Sequence, residues 1–265
     1  MDWLQVVVLA LVQGISEFLP VSSSAHLVLV PALTDWPDQG LAFDVALHVG
    51  SLSAVVVYFR RDLIKMMTSW CGSLAGRGQD ESSRLTWWVI LATIPVGLVG
   101  LACKDLVEDN LRSGLVIGAS LAVFGLVLGW ADLRHRGHRN EFDLTWKDAL
   151  LIGLAQALAL IPGTSRSGIT MTAALMLGLS REASARFSFL LSMPVIVLAG
   201  GLKTLDLLES PVPVNWITLA VGTLLSGISA YLCIHYFLAF IHRIGMQPFV
   251  IYRVVFGLWL VWFFW

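Results

Sequence analysis

Charge is what this sequence has least of. Only 13% of its 265 residues are Asp, Glu, Lys or Arg, and 57% are apolar. A soluble domain carries about 25% charged and about 45–50% apolar residues. So little charge cannot cover a 29 kDa globule, which excludes a soluble enzyme. A net charge of −1 excludes a nucleic-acid binder, which needs a basic surface, and a mean hydropathy of +0.79 excludes a disordered chain. Cysteine is scarce too. Cys71, Cys103 and Cys233 are odd in number and far apart, so no disulfide framework or zinc site follows and they read as small apolar fillers. The N-terminus has no basic n-region and no A-x-A site, so no cleaved signal peptide is expected. What remains is a polytopic membrane protein.

A spanning helix needs about 20 mostly apolar residues. Six segments qualify: 41–59, 85–103, 114–131, 183–201, 215–240 and 248–265. Two more apolar stretches are interrupted. Residues 3–33 meet Gln13, Ser16, Glu17, Pro20 and Ser22-Ser23-Ser24 before resuming at Leu27, and 149–179 are cut by Pro162-Gly163-Thr164-Ser165-Arg166-Ser167-Gly168. Each half is too short to cross, so each stretch reads as a re-entrant or broken helix. Non-helical backbone at membrane depth persists only where protein or a wet cavity satisfies it. A functional site is therefore expected at the two interruptions.

The halves also match each other. Aligning Pro20 with Pro162 sets Ser22-Ser23 against Thr164-Ser165 and brings Gln13 within one residue of Gln156; Phe43-Asp44-Val45-Ala46-Leu47 falls near Phe187-Ser188-Phe189-Leu190-Leu191. Each half is then one broken hairpin followed by three spans, and three is odd, so the second half enters inverted. Inverted repeats with broken helices place their site at the repeat interface; chance likeness of apolar segments is the competing reading. The expected fold is an all-α polytopic membrane protein. It has six transmembrane helices plus two re-entrant hairpins in an inverted repeat, 1–131 and 146–265, within one membrane domain. Basic residues orient it. Arg60, Arg61, Lys65, Arg77, Arg84, Arg134, Arg136, Arg139, Lys147, Arg181, Arg186 and Arg243 fall on one side, and Lys104, Arg112 and Lys203 on the other. By the positive-inside rule the first side is cytoplasmic and both termini lie outside. Gly114-x-x-x-Gly118 and Gly125-x-x-x-Gly129 allow close helix contact, read as intramolecular packing.

Arg166 and Arg253 stand outside that sorting. An Arg at the bilayer centre costs roughly 2.5–3.5 kcal/mol on insertion scales, so it needs a partner or an anionic ligand. Arg166 sits where a half-helix restarts after Pro162-Gly163, among Thr164, Ser165, Ser167 and Thr170. Helix-start N–H groups, hydroxyls and a guanidinium describe a phosphate site; a structural pair with Glu17 is the alternative. Gln13 and Glu17 are i, i+4 and share a helix face, where a carboxylate could hold a divalent cation. Ser23 with His26 could form a nucleophile–base pair, or His26 could protonate a leaving group or simply bond another helix. Asp44 and His48, again i, i+4, either line the cavity or bond each other. Tyr252-Arg253 reads as an interfacial snorkelling pair. Asp105, Glu108, Asp109, Asp206 and Glu209 read as outer loops, and Arg134-His135-Arg136-Gly137-His138-Arg139 as an inside loop on anionic lipid.

Ser16-Glu17-Phe18-Leu19-Pro20-Val21-Ser22-Ser23-Ser24-Ala25-His26 and Pro162-Gly163-Thr164-Ser165-Arg166-Ser167-Gly168-Ile169-Thr170 resemble the two signature motifs of bacterial undecaprenyl-diphosphate phosphatases, the family associated with bacitracin resistance. Phe43–Gly50 and Pro248–Arg253 look like family segments as well, so the resemblance covers essentially the whole chain. Gln13 departs from it, since many relatives carry a second glutamate there, and Ala25 replaces a common glycine. The resemblance implies hydrolysis of the C55 isoprenyl diphosphate to the monophosphate and phosphate, recycling the cell-wall lipid carrier. It also implies a divalent cation (Mg²⁺ or Ca²⁺), an inner-membrane location and a pocket open to the periplasm. Expected catalytic groups are Glu17, Ser23, His26, Ser165 and Arg166, with Ser22, Ser24, Gly163, Thr164, Ser167, Gly168 and Thr170 binding substrate and Glu17 and Gln13 the metal. Ser23 as nucleophile and a metal-activated water both remain open. Expected partners are the polyprenyl diphosphate and membrane lipid, with no nucleic acid; a homo-oligomer stays open. The rival function is a secondary transporter or flippase for an anionic lipid phosphate. The acid-phosphatase-like lipid phosphatases expect S-R-x5-H, and no His lies six residues after Arg166.

Overall fold

The computed structural model describes the chain apart from residues 35, 104–110, 112, 135–136 and 210–214, and apart from the side chains of 28, 31–33, 206 and 208–209. Lys104, Arg112, Arg136 and the Asp105, Glu108 and Asp109 cluster named above therefore lie outside the described residues, whereas Asp206 and Glu209, expected in an outer loop, belong to a helix that runs to Glu209. The helices are α1 Trp3–Ser16, α2 Ser23–Thr34, α3 Leu41–Tyr58, α4 Arg60–Leu74, α5 Glu81–Ala102, α6 Gly114–Arg134, α7 Trp146–Ala157, α8 Arg166–Met176, α9 Arg181–Glu209, α10 Trp216–Ile244 and α11 Gln247–Phe264. Six of them (α3, α5, α6, α9, α10 and α11) are long and apolar enough to cross a membrane. Their large apolar side chains stay outward, as at Trp216, Leu224, Val255 and Trp262, where lipid replaces water. The chain is a multi-pass membrane protein.

Local chemistry sets the helix starts. Asp2 accepts from the Gln5 N–H at 2.7 Å, Asp80 from Ser83 at 2.7 Å and Asn215 from Thr218 at 3.2 Å; Thr145 and Asp148 cap α7 reciprocally. The 60–84 segment, expected as a loop, contains α4. Its Arg60 and Arg61 are exposed, and so are Ile64, Met67 and Leu74, the mixture of an interfacial helix.

The hairpins repeat at a fixed offset. Trp3 opens α1 and Trp146 opens α7; Ser23 opens α2 and Arg166 opens α8, and each pair is 143 residues apart. Alignment on the prolines is thus one residue out of step, because Ser22 follows Pro20 by two residues and Ser165 follows Pro162 by three. The corrected offset places Gln13 on Gln156, both fully buried. Packing exchanges in the same way: α1 lies along α10 as α7 lies along α5, while α3 meets α9 and α6 meets α11.

Glycine makes the closest approaches. A Cβ on Gly14 would lie 2.4 Å from the Ser226 carbonyl of α10, and one on Gly50 would lie 2.3 Å from that of Thr223. The α6 glycines serve α11: Cβ atoms on Gly118, Gly125 and Gly129 would come within 3 Å of Gly257, Arg253 and Val250. The paired-glycine motif is therefore intramolecular packing.

Ion pairs gather at one end. Asp132, at the end of α6, takes the Arg181 guanidinium on both oxygens at 2.6 and 3.0 Å. Arg186 joins Glu141 at 2.5 Å and Asp62 at 3.0 Å, and Arg139 meets Asp148 at 2.6 Å. Among the described residues the only β-type pairing is a parallel bridge between Arg139 and Leu179, which holds the linker between the repeats against the end of α8.

Candidate active site

Both interruptions use the same backbone device. After α1 the chain turns through Glu17–Val21, and Ser22 takes φ 72° before α2 begins; after α7 a 3-10 turn and Gly163 lead to Ser165 at φ 70° before α8. These two serines are the only non-glycine residues with positive φ among those described, a conformation that costs of order 1–3 kcal/mol and clusters at functional sites. The hydroxyls repeat as well: Ser22 Oγ lies 3.3 Å from Ser24 Oγ, and Ser165 Oγ lies 3.2 Å from Ser167 Oγ. Ser165 Oγ also accepts from the Gly168 N–H at 3.1 Å, capping α8.

The first residue of each restarted helix points at one carboxylate. Ser23 Oγ donates to Glu17 Oε2 at 2.7 Å, and Arg166 Nη2 donates to Glu17 Oε1 at 2.9 Å. Arg166 Nη1 reaches the Ser188 carbonyl on α9 at 3.2 Å. Ser167 Oγ donates across to the Leu19 carbonyl at 2.8 Å, so the two interruptions are bonded directly. Gln13 Nε2 donates to Glu17 Oε2 at 3.0 Å, while Gln13 Oε1 is buried without a hydrogen-bond partner. These groups open on a cavity of about 240 Å³ lined by Glu17, Ser22, Ser23, Ser24, His48, Ser165, Arg166 and Ser167, with an apolar wall from α9. A larger groove of about 520 Å³ between α1 and α10 carries no charged side chain and no such chemistry.

Several expected contacts are placed differently. Ser23 and His26 are not hydrogen-bonded. His26 Nδ1 bonds the Ser22 carbonyl at 2.7 Å, so it carries the proton, and Nε2 is left to accept from the Tyr252 hydroxyl at 2.5 Å. The ring stacks on Tyr252 and Phe256 and is outside the cavity lining. Its partners explain this: the Ser22 carbonyl and the Tyr252 hydroxyl of α11 hold the His26 ring toward α11. Gly163, Thr164, Gly168 and Thr170 also stand behind the cavity wall. Thr170 Oγ1 is engaged by the Arg166 and Ser167 carbonyls and by Ser188 Oγ at 2.8–3.1 Å.

Arg253 is the largest departure from the sequence reading. It does not snorkel; it is fully buried. Its guanidinium donates to the carbonyls of Pro20 at 3.2 Å, Gly163 at 3.3 Å and Thr164 at 2.7 Å, and its Nε to Leu121 at 3.3 Å. One side chain thus ties both interruptions to α6 and α11. Gly168 is required beside it, since a Cβ there would lie 2.4 Å from Arg253 Nη1.

Two further side chains line the cavity: His48, as one reading of its i, i+4 pair with Asp44 expected, and Lys203, which the sequence reading placed on the outer side. His48 Nδ1 bonds the Asp44 carbonyl at 2.8 Å and Nε2 stands 3.9 Å from Glu17 Oε2, whereas the Asp44 carboxylate accepts from Gln39 at 2.9 Å; Asp44 and His48 side chains do not bond each other. Lys203 lies on α9. Among the described residues no group of three or more His, Cys, Asp and Glu is placed to hold a metal. Any cation would rest on Glu17, neutral oxygens such as the unpartnered Gln13 Oε1, and oxygens of the substrate, a hard-oxygen set that suits Mg²⁺ or Ca²⁺.

The family model described as "Bacitracin resistance protein BacA" matches residues 6–259. "Undecaprenyl-diphosphatase 2" of Stutzerimonas stutzeri is 60% identical over 260 residues, covering 97% of this chain and 96% of the relative. "Undecaprenyl-diphosphatase" of Thioalkalivibrio sulfidiphilus is 57% identical over 266 residues and the whole of both chains. That of Nitrosococcus oceani is 58% identical over 257 residues and 97% of each.

Proposed function

We infer the function from one premise: the chain belongs to the bacitracin resistance protein BacA family. It is an integral-membrane undecaprenyl-diphosphate phosphatase, a hydrolase of the phosphoric anhydride bond that releases inorganic phosphate and returns the lipid monophosphate to cell-wall synthesis. The single observation that carries this to chemistry is Glu17 standing between Ser23 and Arg166 in one cavity, at 2.7 and 2.9 Å. Phosphoryl transfer is mostly positioning and charge stabilisation, and this trio supplies both.

In the proposed sequence the terminal phosphate enters against Arg166 and the hydroxyls of Ser22, Ser24, Ser165 and Ser167. The guanidinium matches phosphate oxygens bidentately, and such preorganised donors are usually the largest catalytic contribution. Ser23 Oγ attacks phosphorus while Glu17 Oε2, already its acceptor, takes the proton. The bridging P–O bond breaks with its electron pair on the lipid phosphate, and water then releases phosphate from Ser23. Glu17 replaces His26 as the base for a geometric reason: only Glu17 is bonded to Ser23. His26 becomes a positioning residue that holds the Ser22 carbonyl. Glu17 and Gln13 Oε1 would hold the divalent cation, whose chemistry is to neutralise phosphate charge.

The basic-residue asymmetry supports a periplasmic cavity mouth and periplasmic termini in the inner membrane. Phosphate release from a polyprenyl diphosphate by purified protein, with and without chelator, tests the function. Absence of release with Mg²⁺ or Ca²⁺ present would overturn it. A phosphoenzyme trapped in the unmodified protein and lost in Ser23→Ala is the expected result for the nucleophile; full activity in Ser23→Ala would leave a water molecule as the attacking group.

A further inference from the structure

The cavity has a second cation that the mechanism above does not use. The wall opposite the two interruptions is α9, which passes Ser188, the acceptor for Arg166, and then lines the cavity with Val195, Ile196, Ala199, Gly200 and Lys203. Positions 196, 199, 200 and 203 follow the i, i+3, i+4, i+7 pattern of one helix face. Lys203 and Arg166 are the only Lys or Arg residues in the lining, which also holds His48. They differ in what they hold: Arg166 is paired with Glu17, whereas Lys203, half-buried, has no acidic partner among the described residues. Seven residues at 1.5 Å rise put Lys203 about 10 Å beyond Ile196 along the helix. Its side chain leans back toward the helix N-terminus and so toward the interruptions.

We propose that Lys203 binds the phosphate that stays on the lipid, while Arg166 and Ser23 take the phosphate that leaves. The inference rests on the phosphatase reading and deepens it. A diphosphate carries charge on two phosphorus centres, and Arg166 already answers to Glu17. When the bridging bond breaks, its electron pair settles on the oxygen that remains with the lipid monophosphate. The Lys203 ammonium, lining the same cavity, neutralises that oxygen as it forms. The same arrangement stops the reaction after one phosphate. A lipid monophosphate seated on Lys203 leaves the Arg166 position empty, and moving deeper to reach Ser23 forfeits Lys203. Lys203 is thus a substrate-binding residue that selects diphosphate over monophosphate.

The test compares the unmodified protein with Lys203→Gln and Lys203→Arg, purified in detergent. Readouts are phosphate release from polyprenyl diphosphate and inhibition by polyprenyl monophosphate and by inorganic phosphate. Lys203→Gln is expected to lower kcat/KM about 10- to 100-fold, the weight of a lost charge-assisted hydrogen bond, and to weaken inhibition by the lipid monophosphate in step. Inhibition by inorganic phosphate, which reports the Arg166 position, stays as in the unmodified protein, and Lys203→Arg recovers most of the loss. Unchanged kcat/KM in Lys203→Gln, equal weakening of both inhibitors, or an Arg variant no better than Gln would each overturn the proposal. If the unmodified protein releases no phosphate, the phosphatase reading falls instead. Direct binding of polyprenyl monophosphate then decides Lys203 alone: equal affinity with and without the ammonium overturns it.

Discussion

The two interruptions share a backbone and divide the chemistry. Each carries a positive-φ serine, a hydroxyl pair two residues apart and a helix restarting on the next residue. At that restart one has Ser23 and the other Arg166, and where the first places Glu17 the second, 143 residues on, has Leu160. In the proposed mechanism the first supplies nucleophile and base, and the second supplies the cation. Duplicated geometry gives convergence on one point, and substitution at two positions gives polarity. A symmetric site would set two like groups against each other, and two carboxylates at this separation would repel.

Exchanging the chemistry between the interruptions tests that division most severely. Ser23→Arg combined with Arg166→Ser keeps the same groups but moves the hydroxyl away from Glu17; phosphate release is expected to fall more than about 10³-fold, at least as far as in Arg166→Ala. Activity above a tenth of the unmodified level would show the two positions to be interchangeable. The next largest effect comes from separating the interruptions. Arg253→Met leaves four buried carbonyls without their donor, and thermal unfolding in detergent should show a loss of about 3 kcal/mol or more, with Arg253→Lys between the two. A stable Arg253→Met protein would mean that each interruption holds its own shape.

Smaller effects probe the supports that the interruptions do not share. His26→Ala removes the bond to the Ser22 carbonyl and should lower kcat by up to about 10²-fold, the cost of a small misplacement of reacting groups, while Tyr252→Phe lowers it less. Equal losses in the two variants would point to the tyrosine as the working group. The smallest contrast is in strain. Ser22→Gly is expected to stabilise the fold by up to about 1 kcal/mol. In Ser165→Gly the same relief is offset by the lost cap on Gly168, worth about 1 kcal/mol, so its melting temperature should hardly move.

Much of this was legible in the sequence. The spans were, because 18 or more apolar residues have few alternatives; their ends fall within about four residues of the expected ones, except that α9 runs to Glu209, eight residues past the expected end at 201. The interruptions were, because Glu17, Arg166 and three consecutive serines are costly in apolar surroundings. The two broken hairpins open 143 residues apart, one more than the spacing of Pro20 and Pro162, because the positive-φ serine rather than the proline sets where each helix restarts. Helix α4 was hidden because Arg60, Arg61, Asp62 and Lys65 look like loop residues when read in order. Arg253 was misread for the opposite reason: near the start of an apolar span, an Arg resembles an interfacial anchor, and its carbonyl partners at Pro20, Gly163 and Thr164 lie about 90 and more residues away. His48 at the cavity was one of the two readings of its i, i+4 pair with Asp44, whereas Lys203 becomes visible only when α9 completes the cavity.

The ion pairs gathered at one end have a mechanical consequence. Asp132, Asp62, Glu141 and Asp148 are matched there to Arg181, Arg186 and Arg139, which binds α4, α6, α7, α9 and the linker together. Helix α9 leaves that end and lines the cavity farther along, from Val195 to Lys203. The protein is bound like a book along one edge, and pages held at the spine part only at the fore-edge. On the proposed function, the opening that admits a lipid headgroup is expected at the far end, away from these pairs. Sliding these helices past one another would have to break those ion pairs.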